Sequence, residues 1–340
     1  MWVEGGGINS EFTPVYHPAG ADSELRLVVE ELQAGRWMAM RDLLRRTRHA
    51  AARTWRTQVM GIVAARSDVV QVWQAEEPAN TDALAMNARV RVERALQAHR
   101  QRHPSTAQLE KAAREACHQA MLLLPDDVVP WVCLLALAQL DESQELVDHR
   151  QAPPEQLLPP GPWRLLSEAH SRDPYNREAF HRTMQFLQVR RAGSWADTMD
   201  YVSWVVSLAP AGSALLAMPL YAHVEFLRRQ WEHGSTADPL VRRQWVLDHI
   251  RRDVQQALYG WFEQADPATY SATDLNYLAH ALWAGNQFHE AARTFAAIGV
   301  NATWLPWAHV ADEPELSTSE FLRARAQSYA AGRRRPDTRP

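Results

Sequence analysis

From about residue 21 to 331, apolar residues recur every three or four positions, the period of an amphipathic helix rather than the alternation of a strand. The pattern predicts helices at 22–34, 37–48, 51–65, 68–76, 80–101, 105–123, 128–140, 163–171, 176–190, 195–208, 213–232, 239–264, 272–284, 288–298 and 317–331. Ala, Leu, Arg, Glu and Gln, all good helix formers, dominate these stretches, whereas isoleucine occurs only four times. The expected class is therefore all-α. Residues 1–20 show no period and read as a flexible lead-in. Residues 21–150 form an N-terminal helical half and 163–331 a C-terminal one. Between them, 151–162 carries five prolines that no helix crosses, and reads as a hinge. The arginine-rich tail 332–340 reads as disordered.

The helices share a punctuation. Ala34-Gly35-Arg36-Trp37, Ala192-Gly193-Ser194-Trp195 and Ala284-Gly285-Asn286-Gln287-Phe288 each close a helix at a glycine suited to a positive-φ cap and open the next with an aromatic. Such recurrence points to stacked helical hairpins. The segment from Leu275 resembles the tetratricopeptide repeat: Leu275, Leu278, Ala279 and Leu282, the turn at Gly285, then Phe288, Ala291, Phe295 and Ile298. Ala279 stands where that family usually has Gly, and the closing proline is displaced to Pro306. Fainter copies precede Pro125, Pro174 and Pro210. The stretch Ala192–Trp195, Met199–Val202, Ala209–Ser213 and Pro219–Phe226 also looks like uncharacterised helical-repeat proteins of actinobacteria. The resemblance implies a right-handed α-solenoid of degenerate tetratricopeptide-like hairpins, and no known activity.

Composition narrows the chemistry. With 36 Lys+Arg against 40 Asp+Glu, the net charge of −4 argues against nucleic acid or an anionic membrane as partner. Lysine occurs once, at Lys111, against 35 arginines; no P-loop exists, and the arginine bias fits a GC-rich bacterial genome. Two cysteines, Cys117 and Cys133, cannot frame disulfides or a four-cysteine zinc site. The longest apolar run, Val128–Ala138, is too short to span a membrane and contains Pro130, and the N-terminus lacks a signal peptide's basic and apolar regions. These features predict a soluble, reduced, cytoplasmic protein.

No enzyme motif emerges. His289-Glu290 fails to complete a His-Glu-x-x-His site, and Asp126-Asp127 lacks the third carboxylate of a terpene-cyclase magnesium site, reading instead as a cap for the next helix. No Gly-x-Ser-x-Gly elbow occurs. His223 and Glu225 point about 200° apart on a helix, so they cannot chelate one ion, and His223 reads as a core residue. No cofactor, metal or catalytic residue is predicted. Arg41, Arg45 and Arg48 share a helical face as a candidate anion patch; the alternative is a solvated face paired with acids. Most of the 14 tryptophans read as helix packing.

The repeat register nominates one binding face. In tetratricopeptide arrays the first helix of each pair lines a concave groove; its groove positions here are His181, Gln185 and Gln188, then Tyr221 and Glu225, then Asn276, His280 and Trp283. The expected function is a non-catalytic scaffold binding a protein or peptide partner in that groove. The alternative is an enzyme or small-molecule binder whose pocket lies between the helical halves near the prolines, using His181, His223, Glu225 and His280. A third reading, a transcription regulator with an N-terminal helix-turn-helix, lacks a recognition-helix pattern.

Overall fold

Local caps start many of the helices. In the computed structural model, which describes residues 12–232, 243–311 and 313–332, Asp22 accepts from the Leu25 amide at the start of α1 (Ser23–Gln33). Asn80 does the same for α5 (Thr81–Arg100), Asn176 for α9 (Arg177–Val189) and Ser271 for α13 (Ala272–Ala284). At α10 (Trp195–Leu208), Ser194 and Asp197 form a reciprocal capping box. The other helices are α2 (Met38–Arg46), α3 (Ala50–Ala64), α4 (Val69–Glu76), α6 (Thr106–Leu123), α7 (Val129–Ala138), α8 (Trp163–Arg172), α11 (Met218–Glu232), α12 (Asp248–Gln255), α14 (Phe288–Ile298), α15 (Trp307–Val310) and α16 (Ser317–Gly332). Among the described residues there is no strand, only isolated bridges at Val15–Asn301 and Gln151–Gly161. No helix among them is long and apolar enough to cross a membrane.

Two predicted helices are interrupted. A 3-10 turn, Ala214–Ala217, precedes α11. The span expected at 239–264 divides into a 3-10 turn at Arg243–Val246, then α12, then a π-helical stretch Gln256–Phe262; its residues 239–242 lie outside the described residues. Leu247 breaks the first junction with an extended backbone, φ −68° and ψ 140°. In the π stretch, Gly260 lies so close to Leu216 that an added Cβ would meet its Cδ1 at 3.0 Å. The short α15 has no counterpart in the periodicity.

Packing follows chain order. Helices α1, α3, α5, α7 and α9 each pack on the next of that series, while α4 packs on α5, α6 on α7, α8 on α9 and α10 on α11. Helix α7 is therefore enclosed on all sides, and all ten of its residues are buried. Three apolar cores result, and two helices join them. On α5, Met86 and Val90 face the first core while Ala88 and Val92 face the second; on α11, Met218 and Ala222 face the second while Leu220 and Val224 face the third.

The proline segment read as a hinge makes several contacts with its surroundings. Gln151 and Gly161 exchange backbone hydrogen bonds at 3.0 and 3.1 Å, Trp163 Nε1 donates to the Pro159 carbonyl, and Leu158 is buried with Leu96, Val132 and Leu166. The lead-in is likewise placed from residue 12 onward. Val15 N donates to the Val300 carbonyl at 2.7 Å, Tyr16 reaches Thr318, Arg26 bonds the Gly20 carbonyl and Asn301, and Phe12 stacks on Phe321 under Arg325. The expectations for residues 1–11 and 333–340 lie outside the described residues. Of the three glycine turns, only Gly35 uses a positive φ, +75°; in the third, Asn286 takes it (φ 59°) and Gly285 serves close packing, an added Cβ meeting the Trp245 carbonyl at 3.1 Å.

Candidate functional site

Helix α9 carries polar groups toward both neighbouring parts of the chain. Its cap, Asn176, also donates from Nδ2 to Thr54 Oγ1 on α3, at 3.1 Å. Glu178 accepts from both terminal nitrogens of Arg89 on α5, at 2.7 and 2.6 Å, and from Arg182 at 3.2 Å. On the other side Arg177 clamps Asp274 of α13 through two bonds of 2.6 and 2.5 Å and reaches the Tyr221 hydroxyl of α11 at 2.8 Å. Tyr221 also donates to Asp274 and stacks on Tyr277, ring centroids 3.7 Å apart. His181 meets Tyr221 edge-on at 4.6 Å. Burial, reinforced by the charges of Arg177 and Arg182, holds the His181 imidazole neutral, its pKa well below the usual range.

All eight nominated groove residues lie on α9, α11 and α13, three of them buried and five partly exposed. His181, Asn276 and His280 are buried. Helix α3 packs against α9, and Gly20, ahead of α1, approaches Ala272 at the start of α13. The groove positions consequently find partners within the chain. Gln185 accepts from Arg182 at 3.3 Å; Arg229 ties Glu225, at 2.8 Å, to the Gln188 carbonyl, at 2.9 Å. Asn276 bonds the Ala272 and Asn301 carbonyls through Nδ2 and accepts from Trp307 Nε1 at 2.9 Å. Asn276→Leu is expected to lower stability by roughly 2–3 kcal/mol, because it leaves the Trp307 N–H buried without an acceptor. Urea unfolding would measure the loss.

One part of the face remains open. A cleft of about 220 Å³ is lined by His280 and Trp283 of α13, Trp245, Leu227 of α11, Phe288 of α14 and Val310 of α15, with Glu320, Arg323 and Gln327 of α16 at its rim. Trp245 and Trp307 meet His280 edge-on, at 5.1 and 5.5 Å, and fix its ring. Burial depresses the pKa of His280 to about 3, so it stays neutral at physiological pH. Its Nδ1 is buried with no hydrogen-bond partner. Trp283 Nε1 donates to Gln327 at 2.9 Å, and Arg323 lies over the Trp283 ring at 5.3 Å while pairing with Glu320.

The remaining nominations lie elsewhere. Arg41 pairs with Glu77 at 2.7 Å and with Asp42 at 3.0 Å over the Trp37 ring, while Arg45 and Arg48 are exposed. Around them Arg36, Arg46, Arg53 and Arg56 each hold a carboxylate, so acids interleave the whole cluster. His223 is buried and bonds Asp253 at 2.8 Å. Asp127 accepts from the Val129 amide at the start of α7. Cys117 and Cys133 are buried and free. Among the described residues no three His, Cys, Asp or Glu converge to hold a metal ion.

The register missed Arg177 and Asp274, one helical turn before His181 and Leu278 respectively, and it missed Trp245 altogether. An arginine and an aspartate opening two predicted helices 97 residues apart carry no local mark of pairing. No family model, no curated protein and no solved structure matches the chain.

Proposed function

We propose that this chain is a non-catalytic scaffold that binds a protein or peptide partner along α9, α11 and α13, within a tightly curled, right-handed α-solenoid of tetratricopeptide-like hairpins. The supporting observation is the convergence of polar positions from three helices far apart in sequence. His181 meets Tyr221, Arg229 bridges Glu225 to Gln188, and the face ends at the cleft by Trp283. These side chains are held by their neighbours before any partner arrives, so binding would order the partner rather than the scaffold. The setting proposed is the cytoplasm.

The test is selection from a displayed peptide library on the full chain, followed by titration of the enriched peptide. Gln185→Ala combined with Trp283→Ala is expected to weaken binding at least tenfold while leaving the helical circular dichroism unchanged. Enrichment of no peptide, or a peptide indifferent to both substitutions, would overturn the proposal. A small-molecule reading is favoured by the aromatic lining of the cleft at His280. That cleft lies within the C-terminal helices, not beside the proline segment where such a pocket was expected.

A further inference from the structure

We propose that the cleft over His280 is an anchor pocket for one uncharged planar ring bearing a single polar hydrogen, the phenol or indole side chain of a tyrosine or tryptophan on a bound peptide. The inference rests on the scaffold reading above and names what the scaffold recognises.

Size comes first. An apolar cavity of about 150 Å³ takes up benzene, so about 220 Å³ suits one ring with a substituent or a fused pair. The walls come second. Trp245, Trp283 and Phe288 present ring faces and edges, which favour offset or edge-to-face packing with another ring. The polar groups then select the ring's substituent. Trp283 has given its N–H to Gln327, and the neighbouring Trp307 has given its own to Asn276. Of the His280 ring nitrogens, Nδ1 is sealed from solvent without a partner, and Nε2, which also has none among the described residues, is the one a guest can reach. A neutral imidazole offers one lone pair and one N–H, and a guest that covers Nε2 without matching it is disfavoured. A guest hydroxyl or indole N–H within reach of that ring would satisfy it.

Charge is selected against in both directions. A cation would seek the face of Trp283, but Arg323 already lies there and is neutralised by Glu320. An anion would find no buried positive charge, because His280 is held neutral by burial. The rim points to a side chain rather than a free small molecule. Asn286 and Gln327 are exposed at the mouth and can meet peptide amides.

The experiment titrates the full chain with p-cresol, indole, toluene and tetramethylammonium, following the probes by saturation-transfer NMR and calorimetry. p-Cresol and indole are expected to bind at least fivefold more tightly than toluene, and tetramethylammonium not to bind. His280→Phe keeps the shape of the cleft and is expected to make p-cresol and toluene equal. Trp283→Leu, on the partly exposed wall, is expected to weaken all three ring probes and serves if His280→Phe does not fold. In the peptide arm, changing the tyrosine or tryptophan of a selected peptide to alanine should cost at least tenfold, and p-cresol should compete with the peptide. Equal binding of toluene and p-cresol to the native chain, or preference for tetramethylammonium, overturns the pocket. A peptide that depends on Gln185 but on neither an aromatic residue nor His280 overturns the pocket and leaves the scaffold standing. His280-dependent p-cresol binding by a chain that captures no peptide assigns the cleft to a free small molecule, and overturns the peptide anchor.

Discussion

Glu178→Leu is expected to destabilise the protein by about 3–5 kcal/mol, the cost of leaving a buried charge unpaired. The Arg89 side chain is 1% exposed and that of Glu178 5%, so water cannot replace either partner. Burial alone would raise the Glu178 carboxyl; the charges of Arg89 and Arg182 outweigh it and hold the group below the usual carboxylate range. Among the described residues the other side-chain hydrogen bonds of Arg89 go to Thr54 and Thr57 of α3, both long at 3.4 Å. The double variant Arg89→Met with Glu178→Leu is expected to recover more than half of the loss, since it removes both desolvated charges. A double-mutant cycle from urea unfolding reads the difference. The pair joins α5 to α9 across 89 residues, so the single variant is also expected to loosen the contact between the first and second cores.

Acidification is expected to produce the second large effect, and to begin above the carboxylate range. The pKa of His280 is lowered by burial to about 3, that of His181 well below normal by burial and then by Arg177 and Arg182, and that of His149 by burial against the pull of Asp141. The unfolded chain takes up these protons near pH 6.5 and the folded chain does not. Stability from these groups is thus complete above pH 6.5 and is lost as pH falls toward the folded values. At about 1.4 kcal/mol per unit once the unfolded histidine is protonated, His280 alone removes about 2 kcal/mol between pH 6.5 and 4.5. Glu178 and Glu225, both held low, add their losses below about pH 4.5. Urea midpoints measured at pH 7.5, 6.5, 5.5 and 4.5 should fall from the second point onward. His280→Phe should flatten that slope; an unchanged slope would show that His280 titrates freely.

Helix positions were legible in the sequence because their causes are local. Asp22, Asn80, Asn176, Ser194 and Ser271 bond amides within three residues, and any chain carrying them marks its own helix starts. Helix α7 was legible despite having no polar face, because its length and Pro130 in the first turn suit a buried helix. The eight groove residues lie on three helices that the period predicted. What it could not supply was the long-range contacts. Whether Asn276 faces water or Trp307 depends on Asn301 and Trp307, 25 and 31 residues away, which no short window encodes. Trp245 was hidden for a related reason: the helix read over 239–264 breaks at Leu247, where tertiary contacts outweigh the period. The proline segment was read from composition, which forbids a helix but does not say whether the resulting loop is loose or tied down.

The stretch from Phe12 to Gly20 gives the molecule a property that an open row of hairpins lacks. In an open row the two outermost units fray independently, and damage at one end stays there. Here the Val15–Val300 hydrogen bond and the Phe12–Phe321 contact join the residues ahead of α1 to the last described helices. With Arg26 of α1 also bonded to Asn301, α1 and the stretch between α14 and α16 are tied directly and not through the helices between them.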